Sequence, residues 1–330
     1  MSADKVELAV HLKKFEAYKK EKRKWIEASK VRDDVLVIEF DYGQNLPLPK
    51  LNVNEQFYKR LLWYFVFNVH LHNDDSSTFY TFTEDEGKKG ADSVCSFIYS
   101  FLVQAKKKFP NVTQLVFLSD ACGGQNKNRT VINFSLWLSK EWGVDVLHLF
   151  PVRGHSYNQC DRNFGLYGTK IRKLARIEWR KRYVSILQNA RSNPSPFKVV
   201  AAKSLMKAWE ESLSPYFKKH AMSKGKRFTL QKYSVLKYSK SSPGVIEGSS
   251  SYFPIYDSFS LCKKGVALPS KSELNLQAAP PGKMKVAKLN DVADLVKYLS
   301  PRPKEWLENL LREARNNTAD EASSDSDELE

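Results

Sequence analysis

The amino-acid sequence predicts an α/β fold: a mixed sheet covered by helices on both faces, followed by a small C-terminal α+β extension. Three observations carry this reading. Three strand-like runs follow one another closely between residues 35 and 86, and helical and strand patterns then alternate from about residue 91 to 191. Closely joined strands pair antiparallel, whereas strands separated by helices pair parallel, so that order calls for both kinds of pairing in one sheet. A hydrophobic content of 42% with 12% aromatic residues in 330 residues suffices for a large core.

Residues 5 to about 30 (KVELAVHLKKFEAYKKEKRKWIEASK) place Val6, Val10, Leu12, Phe15 and Tyr18 as an apolar stripe against a lysine-rich surface, which predicts a basic N-terminal helix over 1–32. The run Val35 to Phe40 is β-branched and apolar, a buried strand that ends at Asp41. After the LPLP break come FYKRLLWYFVFNVHLH (57–72), a second strand after a short helical turn, and STFYTFTEDE (77–86), a third. Helical spacing from about Ala91 to Lys108 leads into TQLVFLSD, the fourth strand; TVINFSLWLSKEW (130–142) reads as a helix and VDVLHLFPV (144–152) as the fifth strand. Residues 162–191 read as one further helix, which closes a core spanning 33–192. Short strands and a helix at 204–219 suggest the α+β extension over 193–265. A Pro-, Ser- and Lys-rich linker with short helices fills 266–312, and 313–330 reads as an acidic disordered tail.

Charge is the least ordinary property. The net charge is +16, and the segment from Glu313 onward holds seven acids and one base, so residues 1–312 carry 52 Lys and Arg against 30 Asp and Glu. A body that basic favours a polyanionic partner, nucleic acid above all. Four cysteines without a CxxC spacing argue against a zinc ribbon or disulfide scaffold and favour a reducing compartment. No apolar run approaches the ~20 residues of a membrane span, and the N-terminus lacks a signal-peptide profile. The expectation is an intracellular protein without a membrane partner, in the nucleus rather than the cytoplasm, with an oligomer left open.

Three aspartates stand at element edges. Asp41 ends the first strand, Asp120 ends the fourth, and Asp161 follows the fifth at a helix start. If the first and fourth strands are neighbours, Asp41 and Asp120 face one another and a helix packed on the sheet brings Asp161 alongside. A ribonuclease-H-like fold assembles its acidic site in this way. Two divalent ions ~3.5–4 Å apart stabilise both oxygens of a phosphodiester exchange, and Mg²⁺ takes hard oxygen ligands. Each residue also has a plainer role open to it: a turn starter at Asp41, a loop cap at Asp120, a helix N-cap at Asp161. Behind the acids, His155, Gln44 and Gln125 are placed to hydrogen-bond them. The loop GGQNKNR after Asp120 offers backbone amides, Lys127 and Arg129 to a phosphate backbone, without the spacing of a Walker loop. His155 with Cys122 and Cys160 does not have the spacing of a standard zinc finger.

FDYGQNLPLP, SDACGGQNKN and GHSYNQCDRNFG together resemble a domain of unassigned function that recurs in transposon-derived proteins of animals and plants. The likeness covers roughly residues 33–260. It implies a ribonuclease-H-like transposase or integrase core with Asp41, Asp120 and Asp161 at the acidic positions, an aspartate standing where many such cores carry a glutamate. The expected activity is a phosphodiester transfer or nuclease reaction using Mg²⁺ or Mn²⁺, two ions in all, on nucleic acid, DNA before RNA. Lys127, Arg129 and Arg153 would lie near phosphates. The segment GTKIRKLARIEWRKRY, with Lys170, Arg172, Lys173, Arg176, Arg180, Lys181 and Arg182, would run along the backbone with Trp179 as a stacking group. A catalytically silent nucleic-acid-binding module and a protein-interaction scaffold built on the tail and terminal helix are the alternatives.

Overall fold

A computed structural model describes residues 3–154 and 157–324 of the chain, with side chains at 3, 4, 6 and 317–324 left aside. In chain order the elements are α1 (Ala3–Val31), β1 (Val35–Tyr42), β2 (Leu46–Pro47), α2 (Asn54–Phe57), β3 (Trp63–Leu71), β4 (Ser76–Thr83), α3 (Ala91–Lys108), β5 (Gln114–Leu118), α4 (Arg129–Trp142), β6 (Asp145–Leu149), α5 (Gln159–Arg172) and α6 (Arg180–Gln188). There follow β7 (Lys198–Ala201), α7 (Trp209–Leu213), β8 (Met222–Ser223), β9 (Lys226–Arg227), β10 (Val235–Tyr238), β11 (Val245–Ser249), β12 (Asp257–Ser260), α8 (Val286–Asp294) and α9 (Pro301–Ser324).

The described residues build a ten-stranded mixed sheet ordered β12-β11-β10-β6-β5-β1-β3-β4-β7, with β2 on β3. β1 pairs antiparallel with β3 and parallel with β5, and β5 pairs parallel with β6. The expected α/β class with a mixed, helix-flanked sheet is the fold found. Strand alternation divides the core. Leu36, Ile38, Phe40 and Tyr42 enter the largest cluster beneath α3 and α4, together with Trp137 and Trp209. Val35 and Val37 point the other way, where Tyr18 of α1 packs with Val116 and Leu118. The lysine-rich N-terminal helix is thus a cover for the sheet through its Tyr18 side, while Leu8, Val10 and Leu12 stay exposed. No described helix is long and apolar enough to cross a membrane.

Three differences from the sequence reading have physical causes. The segment after residue 193 continues the central sheet at both edges, β7 beside β4 and β10 beside β6, because short strands reveal their partners only through long-range pairing. The helix expected over 162–191 is broken: Ile177 pairs with Lys50, and the Lys50 ammonium donates to the carbonyls of Ile171 and Leu174 at the end of α5. Capping by a side chain 121 residues upstream leaves no local trace in the sequence. The tail expected to be disordered from residue 313 continues as α9 to Ser324, carried by Leu307, Leu310, Leu311 and Ala314 buried against α8; residues 325–330 lie outside the described ones.

Candidate active site

The site forms where β1, β5 and α5 meet. Leu118 is paired with Glu39, so continuing the parallel register by two residues sets Asp120 level with Asp41. Glu39 and Asp41 share the face of β1 that looks toward α5, which packs on β1 and β3. Asn158 caps α5: its Oδ1 accepts from the Asp161 N–H at 2.9 Å, and Asp161 Oδ2 accepts from the Asn158 N–H at 2.9 Å. The Asn158 Nδ2 then reaches Asp41 Oδ2 at 3.4 Å, so one capping residue connects two of the three acids. Asn158→Ala is expected to destabilise the fold by about 1–2 kcal/mol through loss of the cap, measured by chemical denaturation, and to release Asp161 from its place beside Asp41.

Asp120 is oriented by its own loop. Its Oδ1 accepts from Asn126 Nδ2 at 2.6 Å and from the Cys122 N–H at 3.1 Å. The backbone amides of Gln125, Asn126 and Lys127 all converge on the Cys122 carbonyl, at 3.3, 2.9 and 2.9 Å. The glycine- and amide-rich stretch is therefore a tight wrap that aims one carboxylate, and the backbone amides of Cys122, Gln125, Asn126 and Lys127 are used within it. Those four amides are thus not available for the phosphate contact expected of the loop.

The electrostatics bring the acids together. Burial, then the negative charge of Asp120 and more weakly that of Asp161, pushes the Asp41 carboxyl up to about 7. Asp161 is raised as well, by burial first and by Glu39 and Asp120 among the charges. Lys89 stands at the same pocket: its Nζ donates to Gly43 O at 3.3 Å and Asn45 Oδ1 at 3.1 Å and lies over the Tyr42 ring. Burial lowers its pKa against the opposing pull of Asp41, Cys122 and Asp120.

Oxygen-only donors suit a hard cation such as Mg²⁺ or Mn²⁺. Among the described residues the one set of three ligand atoms mutually within 4.8 Å is His70, His72 and Asp75, so the three aspartates are spread more widely than a single-ion cage. A pair of ions ~3.5–4 Å apart asks for that wider spread. With its carboxyl pushed up to about 7, Asp41 keeps a proton near neutrality, which lessens the repulsion among the three acids.

Several contributors were not foreseen. Glu39 is 1% exposed and accepts from Lys22 Nζ, from the Gln159 N–H at 3.1 Å, and bonds His72 Nε2 at 3.0 Å. Burial alone would raise its pKa, but His72 and Lys22 outweigh that and hold the carboxyl at about 2. Its one available signal was a lone acid inside the apolar run VLVIEF.

The predicted cationic contacts divide. Lys127 is 6% exposed, with its Nζ over the Phe150 ring and 3.5 Å from Gln231 O, and does not face a strand. Arg129 is half-buried and donates to Lys218 O. Both corrections follow from the loop wrapping inward to aim Asp120. Arg153, Lys170, Arg172, Lys173, Arg176, Lys181 and Arg182 are exposed, whereas Arg180 is partly buried against Glu86 Oε1 at 2.9 Å. Trp179 precedes α6, with the Lys181 ammonium 4.4 Å from its ring centre. Gln44 is exposed after β1, and Gln125 is half-buried with its carbonyl accepting from Asn128 Nδ2. His155 lies outside the described residues. Cys160 is buried with its thiol toward Glu39 O and Asn68 O, directed into the sheet.

A family model for a domain of unknown function (DUF7869) matches residues 60–242. The chain belongs to this family. The DUF7869 match takes in β3 through β10, and so Asp120, Asp161 and the loop that orients Asp120; Asp41 lies on the strand upstream of it. No curated protein matches the chain.

Proposed function

We propose that this chain is the ribonuclease-H-like core of a transposon-derived phosphodiester transferase or nuclease that acts on nucleic acid with divalent metal. The observation that carries the reading is the meeting of Asp41, Asp120 and Asp161 at the C-terminal ends of the central strands β1 and β5, with Asn158 bonded to two of them and the Asp120 charge felt by Asp41. The strand arrangement supports it: β1, β3 and β4 form an antiparallel meander and β5 and β6 add parallel to β1, the order such a core requires. Asp41, Asp120 and Asp161 would hold two Mg²⁺ or Mn²⁺ ions, which when bound supply charge to the attacking and leaving oxygens of an in-line displacement. Asn126 and the Cys122 N–H fix one oxygen of Asp120, and the α5 cap fixes one oxygen of Asp161. Asp41 holds its own proton up to about pH 7 and must release it for the cluster to take a cation. The exposed bases Arg153, Lys170, Arg172, Lys173, Arg176, Lys181 and Arg182 supply the phosphate contacts, and a nuclear location fits that substrate.

One observation favours a second reading. Lys89 already places a cation beside Asp41 and Asp120, so the pocket is partly neutralised by the chain itself, as suits a module that binds nucleic acid and leaves it uncut.

Purified protein incubated with DNA and Mg²⁺ or Mn²⁺ decides between them. The expected result is cleavage or strand transfer by the wild type and none by Asp41→Asn, Asp120→Asn or Asp161→Asn, each still binding DNA. Binding should weaken with salt at a log–log slope of about −0.7 to −0.9 per phosphate contact. Wild type and variants equally inert, with the salt slope intact, would establish the binding module. Salt-insensitive or absent binding would remove nucleic acid altogether and leave the scaffold reading.

A further inference from the structure

The geometry points to a transition-metal site at the β3–β4 hairpin, in which His70, His72 and Asp75 hold a zinc-class ion, distinct from the aspartate pocket. One ligand atom from each lies within 4.8 Å of the others. His70 lies on β3 and His72 is the first residue past its end, two positions on, and their ring centres are 4.6 Å apart. The turn into β4 returns Asp75 over them with its Oδ1 3.8 Å from His70 Nε2. Asp75 sits at φ 55°, a left-handed backbone position that Asp and Asn tolerate better than most residues.

The surroundings are those of a prepared ligand set. A metal-bound imidazole is oriented by a hydrogen bond at its other nitrogen, often to a carboxylate. Here His72 Nε2 bonds the buried Glu39 carboxylate at 3.0 Å, and His70 Nδ1 bonds Ser77 Oγ at 2.9 Å. His70 is thus fixed through Nδ1 with its Nε2 turned toward Asp75, and His72 is fixed through Nε2 by Glu39. Ser77 is itself held by Asn163 Nδ2 at 3.0 Å. The neighbouring cations select the kind of metal. Lys30 takes the second oxygen of Asp75 at 2.7 Å and Lys22 pairs with Glu39, so little net negative charge remains to attract Mg²⁺ or Ca²⁺. Two imidazoles and one carboxylate oxygen suit Zn²⁺, which is held by donor type more than by summed charge. Glu39 also accepts from the Gln159 N–H at the start of α5, so an ion here would brace the helix that carries Asp161.

The test uses the metal-stripped full chain titrated with Zn²⁺ by calorimetry, with Co²⁺ as a visible-absorption probe of ligand geometry. One Zn²⁺ per chain is expected, with Co²⁺ bands typical of nitrogen and oxygen ligation. Asp75→Asn preserves the turn and should weaken Zn²⁺ at least about tenfold, and Ser77→Ala, which frees the His70 ring, should weaken it about 10–100-fold. Asp120→Asn should leave Zn²⁺ affinity unchanged. Substoichiometric uptake, wild-type affinity in a folded Asp75→Asn protein, or affinity lost in Asp120→Asn and kept in Asp75→Asn would each overturn the site.

Discussion

Asp120→Asn is expected to lower metal-dependent phosphodiester cleavage by about a thousandfold or more, with the fold unchanged. The size follows from what a carboxylate ligand contributes. Bound divalent metal is worth several kcal/mol of transition-state stabilisation, and ~1.4 kcal/mol is a factor of ten in rate. The fold survives because an asparagine carbonyl can accept the same two bonds, from Asn126 Nδ2 and the Cys122 N–H, that now hold Asp120 Oδ1. Single-turnover cleavage at saturating Mg²⁺ measures the loss, and circular dichroism checks the fold. A folded variant that cleaves at the wild-type rate would take Asp120 out of the chemistry. Asn126→Ala should act in the same direction and more weakly, since it removes only the group that aims the carboxylate.

Asp41 and Asp120 were legible in the sequence because each ends an apolar strand run, and strand ends can be read from local composition. Their meeting was legible too, since closely joined strands followed by helix-separated ones leave few sheet orders. Asp161 is legible as an acid at a helix start, whereas the cap itself is Asn158, with Asp161 three residues on as its partner in the capping box. What remained hidden depends on contacts distant in sequence. Lys22 reaches Glu39, Lys50 ends α5, and Lys89 enters the acid pocket, and none of the three differs locally from a solvated lysine. Lys127 shows the converse: its neighbours suggest exposure, yet the Asp120 loop closes inward and sets its ammonium over the Phe150 ring. Charge counts indicate a partner class, whereas the direction each cation faces is set by packing.

In the absence of divalent metal, Asp41→Asn is expected to stabilise the protein, and by more as pH rises. The folded state holds the Asp41 proton up to about pH 7, whereas the ordinary carboxyl gives it up near 3.8. Between those values the folded chain binds a proton that the unfolded chain has lost, so the Asp41 contribution to stability is present below about pH 4 and is lost as pH rises to 7. The full difference approaches ~4 kcal/mol, taking ~1.4 kcal/mol per unit. His148, pushed down to about 3 by burial, acts in the opposite sense over much of this range, and it does so in both proteins. The comparison of variant with wild type therefore isolates Asp41. Urea unfolding in EDTA at intervals from pH 4 to 8 should give curves that start together and separate above pH 4, with the gap constant beyond pH 8. Saturating Mg²⁺ should then narrow the gap, since ligand at a hundred times its Kd adds ~2.7 kcal/mol to whichever protein binds it. Curves that never separate would mean that Asp41 ionises freely and that the three acids do not share a field. A gap that Mg²⁺ leaves untouched would place the cation elsewhere, and the strain stored at Asp41 would then have no ligand to relieve it.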